Sequence, residues 1–301
     1  MKILVAVDGS DYSRMAIEFI AARETLIKSS PDVQVLNVQW PLPASPARIV
    51  GMAVVRDYYA RDAEQVLRPA RRRLQKAGLR PNVRFIVGHP ASEISAAADK
   101  DKVDLLVLGS HGHSAIGGML LGSVTNAVLA QTKRATLIVR GKAKGYADSL
   151  RVGIAVDGSA YGPAAVKYVL RHLELFGSTP SISLLHVVHT YDLLVMPSVA
   201  GIAPPAFSPA EVRAMQDKAF EAAMGPLRRL FKGSEGVQAN EIRLVGHPGD
   251  ALSAYGKKEL DVLVMGSHGY GAFKAAVMGS VATRVVAHGS TPLLLIRRAA
   301  K

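Results

Sequence analysis

The stretch from Asp104 to Leu129 occurs twice, and this duplication constrains the fold more than any other feature of the chain. The run Asp104-Leu105-Leu106-Val107-Leu108-Gly109-Ser110-His111-Gly112 leads on to Gly122-Ser123-Val124. Its second copy, Asp261-Val262-Leu263-Val264-Met265-Gly266-Ser267-His268-Gly269, leads on to Gly279-Ser280-Val281. In each copy a short apolar run fits a buried parallel strand. The glycines behind it let the backbone turn sharply and bring its N–H groups close to a ligand. Gly-Ser then opens an apolar helical pattern, whose unpaired N–H groups and positive dipole end point to the same place. A loop of this kind is built to hold phosphate. The spacing Gly-x2-Gly-x9-Gly-Ser in both halves would need two independent coincidences to arise by chance.

The rest of the chain follows the same duplication. Residues 2–7 read as a buried strand that ends in Asp8-Gly9-Ser10, with Ser10 or Ser13 placed to cap the helix that follows. Strands at 33–38 and 83–87, a long helical pattern stopping at Gly78, a helix near 94–98 and a last strand at 136–139 complete the first unit. Gly141 to Ser149 is a polar, glycine-bounded stretch, after which Val156-Asp157-Gly158-Ser159 restarts the order. The implied domains are 1–141 and 150–301, joined by a linker at 142–149. Asp8 to Asp157 and Val38 to Val187 are both 149 positions, whereas His89 to His247 is 158 and Gly109 to Gly266 is 157. The second copy is therefore longer between its second and third strands, in an apolar, proline-rich segment ending at Phe207 and followed by the capping box Ser208-Pro209-Ala210-Glu211. Strands alternating with helices give an α/β class with doubly wound parallel sheets.

The glycine loop, behind a first strand ending in Val7-Asp8-Gly9-Ser10, resembles the universal stress protein family and matches that family's ATP-binding signature. The resemblance covers nearly the whole chain as two tandem copies. It implies two Rossmann-like, five-stranded α/β/α sandwiches with strand order 3-2-1-4-5. Ligands of such sheets bind beyond the carboxyl ends of the strands, where the strand order reverses. On this resemblance Asp8 sits by the ribose or adenine of a nucleotide and Val38 lines the adenine pocket. The Gly109-Ser110-His111-Gly112 backbone follows the ribose and phosphates, and Gly122-Ser123-Val124 holds phosphate. The matching set in the second copy is Asp157, Val187, Gly266, Ser267, His268, Gly269, Gly279, Ser280 and Val281. The implied ligand is an adenine nucleotide, ATP, with Mg²⁺ as its companion ion. The resemblance also implies that the last strands, Leu137–Arg140 and Leu293–Arg297, pair within one chain as a pseudo-dimer, on which a homodimer of the tandem chain can build.

Blander readings stand beside these. Asp8 and Asp157 can serve only to cap the following helix, and Ser123 and Ser280 are N-cap candidates with or without ligand. His89 and His247, each between glycine and proline, read as turn residues. No histidine pair at i,i+4 has a third ligand nearby, so a metal centre is not indicated.

Composition closes off several classes. The chain has no cysteine, which excludes disulfides and thiol chemistry, and with no visible signal peptide it fits a cytoplasmic protein. No apolar run reaches the length of a membrane span. The net charge of +13 raises nucleic acid as a partner, but residues 1–148 hold 21 basic against 13 acidic side chains and residues 149–301 hold 16 against 11. The excess is spread, and its densest cluster, Arg68 to Lys76, has no interleaved aromatics for base stacking, so a solvated helix face is the better reading. There is no Gly-x4-Gly-Lys-[Ser/Thr] loop and no acid–base constellation aimed at a γ-phosphate. The sequence is thus read as a nucleotide-dependent stress or signalling protein without robust catalysis. The alternatives are a slow Mg²⁺-dependent ATP hydrolase and an assembly module with vestigial pockets. Inside the nine-residue spacer, Gly117 corresponds to Lys274, a change expected to make the two sites unequal.

Overall fold

A computed structural model describes residues 1–43, 51–111, 121–141, 149–188, 208–233, 236–269 and 278–297. The apolar proline-rich segment, residues 142–148 of the linker and Lys274 all lie outside them, with the expectations attached to them.

The first half runs β1 (Lys2–Ala6), α1 (Asp11–Ala21), α2 (Glu24–Lys28), β2 (Asp32–Gln39), α3 (Met52–Lys76), β3 (Asn82–Val87), α4 (Pro90–Lys100), β4 (Leu105–Gly109), α5 (Ser123–Gln131) and β5 (Thr136–Val139). The second half repeats it as β6 (Arg151–Ala155), α6 (Tyr161–Arg171), β7 (Ser181–Val188), α7 (Pro209–Lys232), β8 (Ala239–Val245), α8 (Pro248–Glu259), β9 (Val262–Gly266), α9 (Ser280–His288) and β10 (Leu293–Ile296). Short α2 and a 3₁₀ turn at Leu173–Leu175 escape the sequence patterns, because one helical turn is too brief to show a period. The stop signals act as expected. Gly78 takes φ +92° behind α3, and Ser208 with Glu211 forms a capping box on α7.

The strands form one ten-stranded sheet in the order β3-β2-β1-β4-β5-β10-β9-β6-β7-β8, which is 3-2-1-4-5 in each half. Within a half every pairing is parallel. At the junction β5 and β10 pair antiparallel, with Leu137 opposite Leu294, Ile138 opposite Leu293 and Thr136 opposite Leu295. Leu137 and Leu294 are the equivalent residues of the two copies, so a pseudo-two-fold axis passes between them. The apolar edge strands that would invite association are thereby buried against each other. Because the junction is antiparallel, the carboxyl ends of the two sets of parallel strands face opposite edges of the sheet.

Alternation along the strands sorts side chains to two faces. Val33, Val35 and Ile3 join Phe19, Leu67 and Leu74 of α1 and α3 in a core that continues through Val152, Ile182 and Phe220 of the second half. On the other face, Leu4, Leu36 and Leu106 pack under α4 and α5, and Leu185, Leu263 and Leu295 under α8 and α9. Away from the sheet, the Tyr168 hydroxyl donates to the Asp104 carbonyl at 3.0 Å, a further tie between the halves. No helix among the described residues is long and apolar enough to cross a membrane.

Candidate functional site

Each half ends its first strand in an Asp-Gly-Ser turn. Gly9 and Gly158 hold φ +85° and +84°, a conformation that a Cβ would strain. In the turn Ser10 N–H donates to Asp8 Oδ1 at 3.0 Å, and Ser159 N–H to Asp157 Oδ1 at 2.9 Å. The N-cap of α1 is Ser10, whose hydroxyl accepts from Ser13 N–H at 3.2 Å. The aspartates are therefore not the helix caps. They shape the turn while their carboxylates stand at the strand ends.

The glycine that closes β4 has a packing reason. A Cβ at Gly109 would sit 2.8 Å from the Tyr12 carbonyl carbon and 3.0 Å from Ser13 N, both backbone atoms of α1. At Gly266 the corresponding obstacle is Tyr161 Cβ at 2.5 Å. The absent side chain lets the first helix lie on the strand end and brings the aspartate turn beside the glycine loop. Ser110 and Ser267 are buried behind this point, with hydroxyls bonded to the Nδ1 atoms of His111 (3.1 Å) and His268 (3.0 Å). Their imidazoles lie near Tyr12 and Tyr161, at ring separations of 5.0 and 6.0 Å.

The loop closes on itself. Gly122 N–H donates to the Ser110 carbonyl at 2.8 Å, and Gly279 N–H to that of Ser267 at 2.8 Å. Gly122 and Gly279 are the N-caps of α5 and α9, and neither helix start carries a side-chain cap. Ser123 and Ser280, expected as cap residues, are instead the first helical residues and exposed, since the extended backbone at glycine (ψ 148° and 156°) already starts the helix. The N–H groups of that first turn are left for another partner. Gly112 falls outside the described residues, and Gly269 is the point where an added Cβ would collide with Asp157 Oδ2.

These parts converge on two cavities of about 590 and 550 Å³, within the usual range for small-molecule sites. The first is lined by Asp8, Val38, Gly109, His111, Gly122, Ser123 and Val124; Ser110 lies behind its wall. The second is lined by Asp157, Val187, Gly266, Ser267, His268, Gly269, Gly279, Ser280 and Val281. The structure thus brings together the described residues singled out from sequence, with Ser110 the one set back.

Sequence reasoning missed the wall contributed by the long helices. Pro69 of α3 and Pro226 of α7 stand 157 positions apart, so Tyr59 matches Gln216 and Asp62 matches Ala219; these four line the two cavities. Their i,i+3 spacing, which puts each pair on one side of its helix, was the available signal. The Tyr59 hydroxyl accepts from Leu42 N–H at 2.6 Å and holds the Trp40-Pro41-Leu42 segment over the first cavity. Beneath, Asn37 Nδ2 donates to the Val7 carbonyl at 2.9 Å, and in the second half His186 Nδ1 donates to the Val156 carbonyl at 2.8 Å. Two different side chains meet the same strand-end carbonyl. The ionisable lining differs as well, since the first cavity holds Asp8, Asp62 and His111 and the second Asp157 with His186, His247 and His268. Arg284 of α9 donates to Asp250 of α8 at 2.6 and 2.8 Å, which holds that carboxyl below its usual range and braces the second helix start.

Comparison with known proteins agrees with this architecture. The sequence profile described as the Universal stress protein family matches residues 1–140 and again 150–297. A universal stress protein of Mycolicibacterium smegmatis is 26% identical over 305 residues, covering 98% of this chain and 96% of its own. One from Mycobacterium tuberculosis is 34% identical over 146 residues, or 46% of this chain and 94% of its own. The crystal structure of a universal stress protein from Archaeoglobus fulgidus superposes with a TM-score of 0.67 at 23% identity, covering 99% of this chain and 98% of that one, a likeness of fold.

Proposed function

The chain belongs to the universal stress protein family, and from that premise we propose that each of its two domains, 1–141 and 150–301, binds one adenine nucleotide, ATP, in the crevice at its own edge of the sheet. One observation carries the reading. In both halves an uncapped helix N-terminus, at Gly122-Ser123 and Gly279-Ser280, opens into a cavity that also holds the strand-end aspartate. Free N–H groups and the dipole suit phosphate, and an apolar recess at Val38 and Val187 suits a base. Asp8 and Asp157 then meet the ribose hydroxyls or the adenine amino group, as carboxylates accept from such donors.

Mg²⁺ would be held chiefly by the phosphates, since no group of three or more His, Asp or Glu side chains able to hold a metal occurs among the described residues. The sequence offers no acid–base constellation aimed at a γ-phosphate, which favours a nucleotide-dependent switch over a fast hydrolase. Whatever turnover occurs would draw on the electrostatics of phosphate and metal alone. Titration calorimetry of nucleotide-free protein with ATP and Mg²⁺ tests the proposal. Two sites per chain with micromolar affinity, on the order of −8 kcal/mol each, are expected. Absence of both heat and thermal shift overturns it, and rapid phosphate release replaces it with the hydrolase reading.

A further inference from the structure

The residue after each last strand is an arginine, and both arginines reach across the pseudo-two-fold axis. Arg140, just past β5, donates from Nη1 to the Val286 carbonyl at 2.9 Å and from Nε to the Thr291 carbonyl at 2.7 Å. Arg297, just past β10, donates from Nη2 to the Leu129 carbonyl and from Nε to the Thr132 carbonyl at 3.2 Å. Leu129 and Val286 are equivalent residues, each in the last turn of the helix that starts at a Gly-Ser of the other half's crevice. Their carbonyls have no partner within the helix. A cation there also complements the negative dipole end. Burial lowers the Arg140 guanidinium to about 10, which leaves it charged at neutral pH, and shifts Arg297 in the same direction.

The other ends of these arginines belong to their own half's site. Ser110 N–H donates to Val139, the residue before Arg140, at 2.9 Å, and Ser267 N–H donates to Ile296, the residue before Arg297, at 2.9 Å. Each arginine therefore grows from the strand that braces its own glycine loop and grips the far end of the opposite half's helix. Because the halves are antiparallel at the junction, α5 spans from the first crevice to the second crevice's edge of the sheet, and α9 makes the return span.

We infer that Arg140 and Arg297 are positioning residues for the phosphate subsite of the opposite domain: Arg297 sets α5 and so the Gly122-Ser123 site, and Arg140 sets α9 and so the Gly279-Ser280 site. The inference rests on the nucleotide reading above, and it makes occupancy of one crevice felt at the other through two hydrogen-bonded struts, Arg140 buried and Arg297 half-buried. By linkage any such coupling is reciprocal.

The test is a crossed one. Gly279→Ala and Gly122→Ala chains, each expected to retain one working site, are titrated with ATP and Mg²⁺ with and without Arg297→Gln or Arg140→Gln. Arg297→Gln should weaken the Gly122-Ser123 site about two- to fivefold, the size of a cation's effect at a helix C-terminus, and Arg140→Gln the Gly279-Ser280 site. Each variant's remaining site reports that the chain has folded. Lysine in place of the arginine should recover part of the affinity, since it restores the charge but not both hydrogen bonds. Loss confined to the arginine's own domain, equal loss at both sites, or no loss overturns the inference while leaving nucleotide binding intact. If the parent chain binds no nucleotide at all, the premise itself has failed. In the nucleotide-free chain, hydrogen exchange at 126–131 should quicken in Arg297→Gln, and unchanged protection there also counts against the strut.

Discussion

Gly109→Ala separates two reasons for a glycine at the end of β4. If the residue is glycine so that a ligand can approach, alanine costs affinity and leaves the empty protein as stable as before. The structure gives another reason, because the new Cβ would meet Tyr12 C at 2.8 Å, Tyr12 Cβ at 2.8 Å and Ser13 N at 3.0 Å. Two of these are backbone atoms in the first turn of α1 and can yield only if the helix shifts. Overpacking of this kind costs about 1–3 kcal/mol. At about 2–4 °C per kcal/mol for a domain of this size, the melting temperature of nucleotide-free protein should fall by roughly 3–10 °C. Gly153→Ala is the control. Its Cβ would crowd Leu260 Cδ1 and Leu185 Cδ1, methyl ends that can rotate away, so the cost should be at most about 1 kcal/mol. Thermal and urea melts of both variants without nucleotide, then ATP titration, complete the comparison. Affinity should fall in Gly109→Ala too, since moving α1 moves the Asp8 turn. A Gly109→Ala chain that melts like the parent and loses only affinity would refute the packing argument.

Gly279→Ala should act in the reverse sense. The nearest neighbours of its Cβ are His268 Cα at 3.3 Å, Ser267 O at 3.4 Å and Gly269 N at 3.8 Å, none under 3.0 Å, so the melt should change by less than about 1 kcal/mol while affinity at the second site drops about tenfold or more. Asp62→Ala should raise triphosphate affinity at the first site by about twofold, because an exposed carboxylate roughly 8 Å from a phosphate in a water-like medium costs about 0.5 kcal/mol; titration at low salt reads it, and an unchanged constant places Asp62 away from the phosphates. Leu137→Asp puts an unpaired charge opposite Leu294 at the buried junction and should open it, with loss of several kcal/mol in a urea melt; a stability within about 1 kcal/mol of the parent would contradict the pairing. Burial raises the Asp261 carboxyl, but hydrogen bonds from the Arg151 side chain and backbone outweigh it and leave the group below its ordinary value. A depressed carboxylate stabilises above its unfolded value and loses that contribution as pH falls through the folded one. Asp261→Asn should therefore be less stable than the parent at neutral pH and converge with it as the pH falls below the ordinary carboxylate range.

Much of this molecule was legible in the chain because the signals are local. Strand and helix periods, the capping box at Ser208 and the stop at Gly78 each occupy a few adjacent residues, and the duplication repeated the strand and glycine-loop patterns. The Asp-Gly-Ser turn, the strand-end glycine and the Gly-Ser helix start were legible for the same reason, although which residue caps α5 depended on backbone angles at Gly122. The tertiary structure alone decided the rest. It set Leu137 opposite Leu294, it placed Tyr59 and Asp62 over one cavity and Gln216 and Ala219 over the other, and it gave Gly109 its reason in the backbone of Tyr12. It also carried Arg140 and Arg297 to carbonyls 146 and 168 positions away. Contacts of that separation leave no period and no spacing in a single sequence, since they are chosen only when whole faces and edges find their most buried arrangement.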